Sequence, residues 1–97
     1  MTAKEAFFHA LNVIKGRWPE GEEVISQDAG YSYYYAFHVL KDRFPEGEEK
    51  ISRSTYYSFL YAREIIKGKL PDWWHNKMVL LSAEDKWAKR YCLEFLK

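Results

Sequence analysis

Apolar residues recur along this chain at helical spacing. Phe7, Ala10, Leu11 and Ile14 follow an i, i+3, i+4, i+7 pattern, Tyr33, Ala36, Phe37 and Leu40 repeat it, and Phe59, Ala62 and Ile66 keep most of it. The small alanine in each stripe marks a place where two helix backbones can approach closely. Between the stripes lie polar runs with helix-end chemistry. Thr2, Asp28 and Ser54 offer side-chain oxygens to the free amides of a starting helix; Thr2 with Glu5 has capping-box spacing, and Ser82 with Asp85 has it more loosely. Gly16 and Gly68 follow Lys15 and Lys67 where the left-handed closing residue of a helix is expected, with Asp42 at the corresponding place after Lys41. Pro19, Pro45 and Pro71 suit the first turn of a following helix, and the glutamates after Pro19 and Pro45 suit its positive end. These signals predict long helices near 3–15, 29–41, 55–67 and 83–95, and short ones near 20–26, 46–52 and 72–81. Ile25 and Ile51 are the expected inward anchors of the first two short helices.

The pattern is periodic. Val13-Ile-Lys-Gly-Arg-Trp-Pro-Glu-Gly-Glu-Glu-Val-Ile-Ser26 returns 26 residues later as Val39-Leu-Lys-Asp-Arg-Phe-Pro-Glu-Gly-Glu-Glu-Lys-Ile-Ser52. The same step joins Tyr31 to Tyr57, Tyr35 to Tyr61 and then Trp87, and Ile14 to Leu40, Ile66 and Cys92. A unit that buries its apolar face only against neighbours builds its core by stacking. The expected fold class is therefore all-α, a short helical-repeat stack of alternating long and short helices. It forms a single domain of about three and a half units, near 2–27, 28–53, 54–81 and 82–97. The third unit departs from the first two, with Trp73-Trp74-His75 replacing Gly-Glu-Glu. Either this pair closes the end of the stack, or it is exposed as a binding anchor.

Composition narrows the function. In 97 residues, 15 Lys and Arg stand against 14 Asp and Glu, a balance that argues against a strongly basic nucleic-acid binder. Residues 1–62 carry seven basic and nine acidic groups, and residues 63–97 carry eight and five, so only the C-terminal end leans positive. No apolar run approaches the ~18 residues of a membrane span, and no signal peptide opens the chain. The lone Cys92 fits a reducing compartment, and a cytoplasmic location is expected.

Little in the chain resembles reaction chemistry. His9, His38 and His75 lack second ligands at metal spacing, and there is no phosphate loop, Ser/His/Asp arrangement or zinc pattern. The carboxylates follow helix starts, and Arg17, Arg43 and Lys69, at one repeated position, either pair with neighbouring glutamates or offer a row of cations to an anionic partner, with pairing the favoured reading. The expectation is no enzyme, no cofactor and no metal. The functional feature is aromatic: 19% of residues are Phe, Trp or Tyr. Tyr31 and Tyr35, then Tyr57 and Tyr61, repeat at i, i+4, and Trp87 and Tyr91 continue with the same spacing on the last long helix. This ladder either packs beneath the short helices or lies open as a partner-gripping face, since Tyr, Trp and Arg dominate interface hot spots. Asn12, His38, Glu64 and Arg90 share one column yet differ in chemistry, as exposed contact positions do. The candidate partner-binding residues are Tyr31, Tyr35, His38, Tyr57, Tyr61, Glu64, Trp73, Trp74, Trp87 and Arg90.

The run Arg43-Phe-Pro-Glu-Gly-Glu-Glu-Lys-Ile-Ser52, followed by Tyr57-Ser-Phe-Leu-Tyr-Ala62 and Ile65-Ile-Lys-Gly68, resembles a short tandem repeat of bacteriophage-encoded proteins, R-F-P-E-G-E … Y-S-Y-x-Y-A-x-x-V-L-K-G. The resemblance covers roughly residues 7–71. It implies a helical repeat and a phage or prophage origin, and carries no catalytic residues. The leading expectation is a non-catalytic protein–protein interaction module, its partner a host or host-defence protein if the phage origin holds. The alternatives are single-stranded nucleic-acid or nucleotide binding through the tyrosine face, and a self-associating structural repeat protein.

Overall fold

A computed structural model describes residues 1–96. The chain is all-helical. Four longer helices, α1 (residues 3–14), α3 (29–40), α5 (55–66) and α7 (Lys86–Phe95), alternate with α2 (Pro19–Ile25), α4 (Pro45–Ile51) and α6 (Asp72–Leu81). The longer helices lie side by side in chain order, α2 packs on α1 and α4 on α3, while α6 packs on α7. The result is an elongated body of 41 × 21 × 19 Å.

The helix starts follow their caps. Thr2 and Glu5 form a full capping box, while the Asp28 and Ser54 side chains accept the amides of Tyr31 and Tyr57. Pro19 and Pro45 occupy first-turn positions, whereas Pro71 stands one residue before α6. The fourth long helix begins later than expected. Asp85, not Ser82, caps it, accepting from the amides of Trp87 and Ala88, while the Ser82 hydroxyl donates back to the Val79 carbonyl at 2.6 Å.

The helix ends correct a second expectation. In α1, α3 and α5 the last turns widen from α to π pairing, beginning at Ala10, Tyr35 and Ala62. Each helix then closes on a lysine in the left-handed region: Lys15 at φ 60°, Lys41 at 54° and Lys67 at 60°. No glycine has a positive φ. The carbonyls of Ala10, Ala36 and Ala62 each accept two amides, from the lysine and from the residue after it. The extra residue in the turn brings the closing conformation one position forward, so Gly16 and Gly68 need no special backbone, and Asp42 serves equally well. Ile14 and Phe37, expected in the core, are more than one-third exposed.

Ala10, Ala36 and Ala62 are fully buried, as are Ile25 and Ile51, the anchors of α2 and α4. Gly47 lets α4 sit directly on α3: a Cβ there would lie 2.6 Å from the Ser32 Oγ and 2.7 Å from its Cβ.

Candidate functional site

The tyrosine ladder divides by depth. Tyr35 and Tyr61 are fully buried and belong to the core, not to a partner-gripping face. The reason lies in the short helices. The Tyr35 hydroxyl accepts the Trp18 amide at 2.9 Å and donates to Glu22 at 2.7 Å. One unit later the Tyr61 hydroxyl accepts the Phe44 amide at 2.8 Å and donates to Glu48 at 2.7 Å. Arg17 and Arg43 complete the two clusters, Arg43 holding Glu48 through two parallel bonds of 2.8 Å. The pairing of these arginines with nearby glutamates is thus as expected. Burial pushes the Glu48 carboxyl up, but hydrogen bonds from Arg43 and Tyr61, with the arginine's charge, outweigh it and hold the group below its ordinary value. Burial likewise pushes the Tyr35 hydroxyl up to about 12.

The third cluster is rebuilt. Trp74 stands 26 residues after Glu48, in the carboxylate's place, and Lys69 has no acid five residues on. Trp74 is fully buried, stacks on Tyr61 at 5.3 Å, and donates its indole N–H to the Ser58 hydroxyl at 2.9 Å. Trp73 beside it is 53% exposed. The two tryptophans therefore part: Trp74 is core, and only Trp73 can meet a partner. The buried tyrosine of this cluster is Tyr91, whose hydroxyl accepts the Leu70 amide at 2.9 Å and meets His75 Nδ1 at 2.7 Å.

Tyr91 shows that the register slips by four residues inside α6. Tyr31, Tyr57 and Trp87 form one column, Tyr35, Tyr61 and Tyr91 the next, and Ala36, Ala62 and Cys92 a third. This corrects the placement of Trp87 with Tyr61, of Cys92 with Ile66, and of Arg90 with Glu64. A signal for the slip is present in the chain: Ser26, Ser52 and Ser82 step by 26 and then by 30, and each hydroxyl bonds the carbonyl three residues before it.

A ribbon of rings crosses the longer helices, with Phe7, Tyr33 and Phe59 buried at its base. Phe7 meets Tyr31 at 5.7 Å, Tyr33 meets Tyr57 at 5.9 Å, and Phe59 meets Trp87 at 5.9 Å. Tyr31, Tyr57 and Trp87 are half-buried in it. At the α7 end, Lys86 lies 5.1 Å and Arg90 5.7 Å from the Trp87 ring. Glu64 is half-buried on α5 and pairs with neighbouring Arg63 at 3.5 Å.

At the α1 end the ribbon opens into an apolar groove of about 310 Å³, lined by Phe7, Phe8, Leu11, Tyr31, Tyr34 and His38. Phe8 and His38 are exposed on its rim, Tyr34 is half-buried, and Phe7 forms the floor. The groove joins two predicted residues, Tyr31 and His38. Phe8 and Tyr34 were missed, although they share one 26-residue column, because both fall outside the i, i+4 tyrosine rows. Among the described residues no three His, Cys, Asp or Glu side chains gather as metal ligands, and no helix is long and apolar enough to cross a membrane.

No family model, no curated protein and no solved structure matches this chain.

Proposed function

We propose that this protein is a non-catalytic interaction module that binds another protein, with an apolar side chain of the partner seated in the groove between α1 and α3. The observation that carries the reading is the groove itself: aromatic walls from two helices, open to solvent, with His38 as the polar group at its rim. Concave apolar sites rimmed by a few polar groups are the usual form of a binding anchor. On the resemblance to phage repeats, the partner is a host or host-defence protein. Stacking of single-stranded bases along the tyrosine ladder is less well supported, because Tyr35 and Tyr61 are closed in the core.

The test is affinity capture from bacterial lysate with nuclease treatment, comparing the wild type with Tyr34→Ala and Phe8→Ser baits verified as folded. A stoichiometric protein that survives nuclease, is lost with both variants, and binds again when purified supports the proposal. Nucleic acid without protein, or a partner held equally by the variants, refutes it.

A further inference from the structure

Each internal junction between the longer helices carries a ring pair drawn from the same two columns. In the first column stand Phe7, Tyr33 and Phe59; their partners are Tyr31, Tyr57 and Trp87, at 5.7, 5.9 and 5.9 Å. Continuing each column outward reaches the two open flanks of the array. On α7, the position following Phe59, with the slip of four, is Lys89. On α1, the position preceding Tyr31 is Glu5. Both are exposed. The ring pair of every internal junction is thus replaced, on the free flanks, by a cation at one and an anion at the other.

The neighbouring positions agree. Leu93 continues the column of Leu11, Phe37 and Arg63 and is 70% exposed. Phe8 precedes Tyr34 and is 42% exposed. At the α1–α3 junction Leu11 and Tyr34 line the same groove, and Leu93 and Phe8 stand at the corresponding positions on the two open flanks.

We infer that the α7 flank of one molecule docks on the α1 flank of a second copy, with Lys89 facing Glu5 and with Leu93 against Phe8. The occupant is a second copy because the two flanks match each other in charge and in apolar position, and because the junction continues the α5 to α7 packing. Head-to-head or tail-to-tail pairing would set Glu5 against Glu5 or Lys89 against Lys89. A contact between two different patches is heterologous, so it propagates as an open chain unless its rotation closes a ring. This goes beyond the groove reading and shares only Phe8 with it.

The experiment is sedimentation velocity over a wide protein concentration range, at low and high salt. The wild type should gain mass with concentration beyond a dimer, and less so at high salt, where the charge pairing is screened. Lys89→Glu and Glu5→Lys should each remain monomeric alone, since each sets like charges across the junction. Mixing the two should restore assembly, because both of their cross-junctions pair opposite charges. Glu5 also completes the Thr2 capping box, so Leu93→Asp on the exposed face of α7 provides a second block that leaves α1 intact. Tyr34→Ala should assemble like the wild type. A wild type that stays monomeric, a closed dimer indifferent to these substitutions, or a mixture that stays monomeric overturns the inference.

Discussion

The hydroxyl of Tyr61 donates to the carboxylate of Glu48 at 2.7 Å, with both side chains shut away from solvent. The same oxygen accepts the Phe44 amide, so one atom ties the start of α4 to α5. Removing it with Tyr61→Phe strands a buried amide and takes a donor from a buried carboxylate, and a loss of about 1–3 kcal/mol is expected. Tyr56→Phe, on an exposed ring, should stay within about 0.5 kcal/mol. Urea unfolding of the two variants measures the difference.

Glu48 also predicts an acid-sensitive fold. Its carboxyl is held below the ordinary value in the folded state. A group depressed on folding adds stability above its unfolded pKa of about 4.3, and that stability is lost as pH falls through the folded pKa. Urea midpoints taken downward from neutral pH should therefore fall below about pH 4. In Glu48→Gln this part of the acid loss should be absent, although the variant starts less stable because Arg43 and Tyr61 lose their charged acceptor.

Backbone positions make an opposed pair of predictions. Gly47→Ala should destabilise by about 1–3 kcal/mol, because the added carbon meets Ser32 on the facing helix. Gly68→Ala has open space and an ordinary φ, and should be neutral or gain up to about 1 kcal/mol. Lys41→Gly should stabilise by about 1 kcal/mol, since glycine carries no penalty in the left-handed region that Lys41 occupies. Thermal unfolding of the three variants in one buffer ranks them.

The adjacent tryptophans should behave unequally. Trp74→Ala opens a cavity beside Tyr61 and leaves the Ser58 hydroxyl without its indole donor, for a loss of about 3–5 kcal/mol. That is a large share of what a small domain has. Trp73→Ala should cost no more than about 1 kcal/mol, the worth of its stacking on Trp74. Chemical denaturation of both, followed by circular dichroism, checks the contrast.

Helix positions were legible in the sequence because their causes are local. A cap reaches three residues, a first-turn proline acts on its own turn, and Arg17 and Arg43 find Glu22 and Glu48 five residues away. The all-α class and the edges of α2 and α4 followed from such short-range chemistry. Tertiary structure alone decided which rings are core. Tyr35 and Tyr61 look like their neighbours Tyr31 and Tyr57 in any local window, yet amides 17 residues earlier claim their hydroxyls. Whether Trp74 or Trp73 turns inward depends on Ser58 and Tyr61, which lie on another helix. The groove of Phe8, Leu11 and Tyr34 arises only where α1 lies beside α3. Burial and pairing across helices are properties of the assembled array, and a residue's own neighbours in the chain do not contain them.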